Sequence, residues 1–330
     1  MVKKLLRNPE TVIEDMVAGI MLAYPHLYKK VGPRALVRKH LTPNKVAVVI
    51  GGGSGHEPAF LGYVGAGLAD GVALGNVFAS PPPDPIIAAA AATESGKGVL
   101  LLYGNYAGDI MNFEMASELL QADGIQTACV VINDDVASAP KAEQDRRRGI
   151  AGEIFVYKIA GAAAENGKDL AECERLARKT VSACRSMGAA WSPCYLPQTG
   201  RPSFELGANE MELGLGVHGE PGVERMDLQP ADRLAVMMAE RILADYDEQP
   251  DEVCVLVNGL GSTSMMELMI FYQFVHQYLE GRGIKVYKTL TGEFITSQEM
   301  GGCSLTLMAL DEELKELLDA PSHSIGLAQT

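Results

Sequence analysis

Three short runs constrain the fold more than any other feature of the chain. "KVAVVI" (45–50), "GVLLLY" (98–103) and "TACVVI" (127–132) are apolar almost without interruption. A strand with one wet face alternates polar and apolar residues, so these runs predict strands covered on both faces. Between them lie "PIIAAAAATES" from Pro85 and "DIMNFEMASELLQ" after Gly108, which have the length and composition of helices. Strands alternating with helices predict a largely parallel sheet with helices on its faces. Two further helices are expected around 153–166 and 170–186.

From about Met187 the texture changes to "AAWSPCYLPQTGRPSFELGANEMELGLGVHGEPG", rich in turn residues and holding an alternating strand, "EMELGLGV". A second series follows: a helix from Ala231, the strand "EVCVLV", the loop "NGLGSTS", a helix from Met265, and the strands "IKVYKTL" and "CSLTLMAL". The expected class is α/β, with two α/β domains whose mainly parallel or mixed sheets are flanked by helices. The boundary is placed near 184–188, giving domains 1–185 and 186–330, with the last 15 or so residues packing back on the first. The substrate site is expected in the cleft between them.

A formal charge of −14 over 330 residues argues against nucleic acid as a partner, since phosphate binding needs clustered Lys and Arg. The one dense basic run, Arg146-Arg147-Arg148, reads as a solvated loop. The N-terminal "MVKKLLRNPETVIEDMVAGIML" resembles a secretion signal, but Glu10, Glu14 and Asp15 interrupt the apolar stretch a signal needs. It is expected as an amphipathic helix capped near Asn8-Pro9. No run approaches a membrane span. Cys129, Cys173, Cys184, Cys194, Cys254 and Cys303 contain no Cys-x-x-Cys pair, and read as reduced core thiols of a cytoplasmic protein.

Ligands of open α/β sheets collect where strands end in loops, and three such loops carry candidate chemistry. The first is "VIGGGSGHEP" (49–58). A Walker loop fails for want of a lysine, and the dinucleotide fingerprint and the nucleophile elbow both fail at His56. What remains is a backbone that a small ligand can approach closely, with His56 at its end, or else a tight turn that happens to hold a histidine. In the second loop, "YGNYAGDIMNFE" (103–114), Asp109 fits a helix N-cap and also a general base. In the third, "GLGVHGEPG" (214–222), glycines flank His218, which suits an accessible nucleophile or acid–base group. His26, His40, His276 and His323 lack such framing and read as structural or surface residues. Neither His56 nor His218 has a second ligand at helical or hairpin spacing, so no metal is expected.

Taken together, "GGGSGHEP", "GNYAGDIMNFE" and "NEMELGLGVHGEPG", in that order, closely resemble the substrate-binding subunit of dihydroxyacetone kinase. The resemblance extends to "ASPPPDP" (79–85), "VVINDDVA" (130–137), "RRGIAGEIFVYKIAGAAAENG" (147–167), "LVNGLGSTSMMEL" (256–268) and "LLDAP" (317–321), nearly the whole chain. It implies a homodimer of two-domain chains that binds no nucleotide itself. It also implies that His218 forms a hemiaminal with the ketose carbonyl, while His56 and Asp109 hold and activate the hydroxyl to be phosphorylated. Gly53 would contact substrate through its backbone, with Ser54, Gly104 and Asn105 lining the same site.

The phosphoryl donor, ATP or ADP with Mg or a phosphotransferase-system phosphoprotein, is implied on a partner: a nucleotide-binding L-type subunit, with an M-type subunit where the donor is recharged. The chain stops at Thr330, after the second α/β series, so no fused nucleotide domain is expected. One departure stands out. Many relatives carry lysine where this chain has Gly104, which opens the alternative of a four-carbon, erythrulose-like ketose. A second alternative is a ketose sensor that acts as a transcriptional coactivator.

Overall fold

The computed structural model describes residues 3–330, and the first two residues of the expected N-terminal helix lie outside it. Within the described part, Asn8 Oδ1 accepts from Glu10 N at 3.0 Å and opens a 3-10 turn, Pro9–Thr11. Helix α1 (Val12–Ala23) continues from it and buries Ile13 and Val17.

The chain forms two compact units. The first comprises the residues up to Ile132, Phe155–Thr180 and Glu313–Thr330; the second comprises Asn133–Ile154 and Val181–Glu312. The sequence-based expectation is one boundary near 184–188 with the last 15 or so residues returning to the first domain; the chain changes unit after Ile132, Ile154, Thr180 and Glu312. Backbone pairing gives the reason for residues 133–154. Asp135 bridges to Ser186, Val136 N donates to Ser186 O at 2.9 Å, and Ser186 N donates to Asp134 O at 2.8 Å.

In the first unit a six-stranded sheet runs β1-β2-β4-β3-β5-β6. Its strands are β1 (Tyr28–Gly32), β2 (Ala35–Arg38), β3 (Ala47–Ser54), β4 (Gly71–Val77), β5 (Val99–Gly104) and β6 (Thr127–Ile132). The last four are mutually parallel, and β1 and β2 form an antiparallel edge. Helices α2 (Pro83–Thr93) and α3 (Ala107–Ala122) cover one face, enclosing a core of Val49, Leu101, Tyr103, Ile86, Phe113 and Leu120. Every residue of β3 and of β5 is buried, as uninterrupted apolar runs require. Helices α4 (Glu153–Glu165) and α5 (Leu170–Ala183) follow.

The expected helix over 170–186 ends early. Cys184 opens β7 (Cys184–Ser192), which pairs antiparallel with β12 (Gly301–Ala309), so sheet pairing overrides local helical preference. The elements that follow are β8 (Glu210–Leu213), β9 (Glu224–Asp227), α6 (Ala231–Leu243), β10 (Glu252–Gly259), α7 (Met265–Gly281), β11 (Lys285–Gly292) and α8 (Glu312–Asp319), with a short two-stranded ribbon, β13 (Ser322–His323) and β14 (Ala328–Gln329), after them. The second sheet has the order β11-β10-β12-β7-β8-β9, and only β10–β11 is parallel. Its core joins Val255, Leu305 and Leu307 to Met238, Ile242, Phe271 and Val275 from α6 and α7.

The arginine run is not a solvated loop. Arg147 and Arg148 are engaged within the second unit, by Asp245 and Asp135 respectively, and of the three only Arg146 is largely exposed. The six cysteines are free thiols, five of them buried and Cys129 partly so. No helix among the described residues is long and apolar enough to cross a membrane.

Candidate functional site

Because β3, β4 and β5 are parallel neighbours, their carboxyl ends leave the same edge of the first sheet. The chain departs from β3 to β4 on one side and returns through α2 to β5 on the other. Loops that diverge in this way leave a crevice at the strand ends. Gly53 sits at that exit. A Cβ there would lie 2.7 Å from Ala79 N and 3.0 Å from Phe78 C, so no side chain fits between β3 and the segment after β4. Ser54 turns its hydroxyl inward, and Oγ donates to Gly75 O at 2.9 Å.

His56 is buried. Its ring lies tilted against Phe78, with centroids 4.9 Å apart, and meets the edge of Phe60 at 6.5 Å. Phe78 holds φ at +57°, with its N–H donating to Ser54 O at 2.9 Å. That conformation costs a bulky residue of order 1 kcal/mol or more, and such residues cluster at functional sites. Glu57, next to His56, has its carboxyl pushed up by burial, against the hydrogen bond from Gly55 N.

Asp109 does not cap its helix. Tyr106 occupies the N-cap of α3, and Asp109 lies within the first turn, buried to 8% exposure. The partial positive charge of a helix N-terminus favours a carboxylate there. The next turn of α3 holds the segment after β4: Asn112 Nδ2 donates to Pro81 O at 2.9 Å and to Ser80 Oγ at 3.3 Å. Residues 78–81 thus touch the His56 loop at one end and α3 at the other. Gly104 closes β5 in register with Ile132, and Asn105 N donates to Ile132 O at 2.9 Å. Tyr103 faces the helix-covered core, stacked on Phe113 at 4.5 Å.

His218 belongs to the second unit, on the loop joining β8 to β9. The strand expected as "EMELGLGV" stops at Leu213, where Gly214 turns with φ +77°. Beyond it, Gly219 N donates to Gly216 O at 3.0 Å and Gly216 N donates to Glu220 O at 3.1 Å, closing a tight turn around His218. Ser297 Oγ donates to Val217 O, and Arg148 Nη2 donates to Gly214 O at 2.9 Å, which anchors the loop to its unit. The His218 side chain is 24% exposed. Its Nδ1 lies 3.0 Å from Glu220 Oε1, while its backbone N–H donates to Glu220 Oε2 at 2.9 Å. Burial alone would raise the Glu220 carboxyl, but the hydrogen bond from His218, helped by the Arg148 charge, holds it well below the usual carboxylate range.

A family model for the Dak1 domain matches residues 18–326. The chain belongs to the Dak1 family. Its Dak1 relatives include the dihydroxyacetone-binding subunit of PTS-dependent dihydroxyacetone kinase 1 from Listeria innocua, 44% identical over 98% of this chain and 99% of that protein. The D-erythrulose kinase of Mycolicibacterium smegmatis is also 44% identical, over 99% of this chain but 57% of its own length. Among solved structures, the dihydroxyacetone kinase of C. freundii aligns with a TM-score of 0.92 at 32% identity, over 100% of this chain and 61% of that one. A dihydroxyacetone kinase operon co-activator aligns at 0.90 and 32% identity, over 96% and 98%.

Sequence reasoning gave no role to Phe78 or Glu220. Phe78 carries no local signal, because its contact with His56 depends on two strands being neighbours. Glu220 did carry one: a carboxylate two residues after a histidine, across a glycine, is within reach of its ring.

Proposed function

We propose that this chain is the ketose-binding subunit of a multi-subunit kinase, and that a nucleotide-carrying partner phosphorylates the ketose it presents. The observation that carries the reading is the end-to-end match to a dihydroxyacetone-binding subunit. The site chemistry supports it. His218 Nε2 adds to the ketone carbonyl carbon, converting a planar centre into a tetrahedral one held in fixed orientation. Glycerol has hydroxyls but no carbonyl, so trapping selects by chemistry as well as by shape. Asp109 takes the proton as the substrate hydroxyl attacks phosphorus, His56 shares that hydrogen bond, and Gly53, Ser54 and Asn105 position the polyol through backbone and short polar groups. The phosphoryl donor resides on an L-type subunit, recharged by an M-type subunit where the phosphotransferase system supplies it. The chain itself works as a homodimer.

A four-carbon ketose is the second reading. It is favoured by Gly104 and by the D-erythrulose kinase that is 44% identical over 99% of this chain. Intact-mass measurement after incubation with dihydroxyacetone, both erythrulose enantiomers and glycerol tests both readings. A ketose adduct absent from the His218→Ala protein is expected, followed by phosphoryl transfer when a charged donor subunit is added. Transfer to none of the ketoses, despite an adduct, would favour a sensor like the co-activator whose structure aligns with this one.

A further inference from the structure

We propose that Glu220 is the positioning residue of the trapping step: its carboxylate holds His218 with the hydrogen on Nδ1, leaving the lone pair on Nε2 for the ketose carbonyl. This rests on the reading of His218 as the nucleophile. A neutral imidazole has one N–H and one lone pair, and the partner of one nitrogen sets which is which. An ionised carboxylate only accepts, so a carboxylate oxygen 3.0 Å from Nδ1 places the hydrogen there. The second oxygen takes the backbone N–H of the same residue at 2.9 Å. One carboxylate therefore fixes both the main chain and the ring of His218.

The turn is built to put it there. The bonds Gly219 N to Gly216 O and Gly216 N to Glu220 O fold residues 216–220 so that side chain 220 falls back over residue 218. Gly216 leaves room for it, since a Cβ at that position would collide with Glu220 Oε2 and approach Arg148 Nη1 to 2.5 Å. Arg148 is itself fixed by Asp135, at 2.8 Å, and by Gly214 O. Arg148 thus supplies a stationary positive charge beside the carboxylate.

In the step, the Nε2 lone pair forms the N–C bond, and the carbonyl π pair moves to oxygen, which takes a proton from solvent. The ring becomes an imidazolium that keeps its Nδ1 hydrogen against Glu220. A carboxylate that stays ionised at neutral pH stabilises that cation without removing its proton, the role the acidic partner plays beside histidine in hydrolase triads.

Ring-15N NMR of the full chain, with His218 assigned by comparison to His218→Asn, reads the tautomer without any ketose. Wild type is expected with the hydrogen on Nδ1 and none on Nε2. Glu220→Gln, whose amide both donates and accepts, is expected to mix the tautomers and to slow adduct formation with dihydroxyacetone by about 10²-fold. Glu220→Asp is expected to fall between them. An Nε2–H tautomer in a wild type that forms the adduct overturns the proposal, and this measurement needs no variant to fold. A folded Glu220→Gln protein with the wild-type tautomer and rate overturns it equally. A wild type that gives no adduct with any ketose instead overturns the nucleophile reading on which it stands.

Discussion

Arg147 and Asp245 meet fork to fork inside the second unit, with Nη1–Oδ2 at 2.8 Å and Nη2–Oδ1 at 2.7 Å, although 98 residues separate them. Arg185 Nε adds a third contact, 2.6 Å from Asp245 Oδ2. Burial would raise the Asp245 carboxyl, but the two guanidinium groups outweigh it and hold it below the ordinary value. A depressed carboxyl contributes stability above its unfolded value and loses it as the pH falls through its folded one. Asp245→Asn should therefore cost about 3 kcal/mol at pH 7 in urea unfolding, because it strands buried positive charge. The gap to wild type should close as the pH falls below about 4, the ordinary aspartate value.

Gly53→Ala tests the close approach at the end of β3. Its new Cβ meets backbone atoms of Phe78 and Ala79, which cannot swing aside as a flexible side chain would. The segment after β4 must shift, and Phe78 with it. At least a tenfold loss in ketose affinity by calorimetry is expected, with a stability cost of about 1–3 kcal/mol. Wild-type affinity in Gly53→Ala would show that this segment is not part of the site.

Asp109→Asn separates trapping from transfer. The adduct on His218 should form at the wild-type rate by intact mass. Phosphoryl transfer with the donor subunit should fall by about 10²-fold or more, the ordinary contribution of a general base. Equal losses in both steps would place Asp109 in holding the substrate instead.

Gly104→Lys tests substrate choice. The Tyr103 ring is committed to the core against Phe113, so it does not fill the space beside residue 104. A lysine there would offer an ammonium donor and occupy volume, favouring the smaller ketose. The ratio of kcat/KM for dihydroxyacetone over erythrulose should rise at least tenfold, since a charged hydrogen bond contributes about 1.5–3 kcal/mol. An unchanged ratio would make Gly104 a neutral difference.

How much of this was legible in the amino-acid order depends on whether the signal was local. β6 was read to the residue because "TACVVI" is an apolar run, but it lies at the sheet edge and only Val130 and Ile132 are buried, so the expected cover on both faces is not met there. β4 was missed: "GVALGNV" holds two glycines and takes its strand character from pairing with β3. Arg147 looked like surface because its partner is far away in sequence, and charge composition says nothing about such a partner. Among the candidate residues, His56 and Asp109 of the first unit and His218 of the second were picked out by their glycine-framed loops. Phe78 was invisible for want of tertiary contact, whereas Glu220 sat in plain view beside its histidine.

The interleaving of the two units bears on how the protein is made. Residues 313–330 belong with the first unit, yet a ribosome translates them only after every segment of the second. In the finished fold they give His323 to a bridge with Ala66, and the Leu317 carbonyl to the buried Lys158 ammonium at 2.7 Å. Until that segment has been made, the first unit lacks both contacts, whereas every segment of the second already exists. The first unit can therefore be completed only after the last residues of the second have been added.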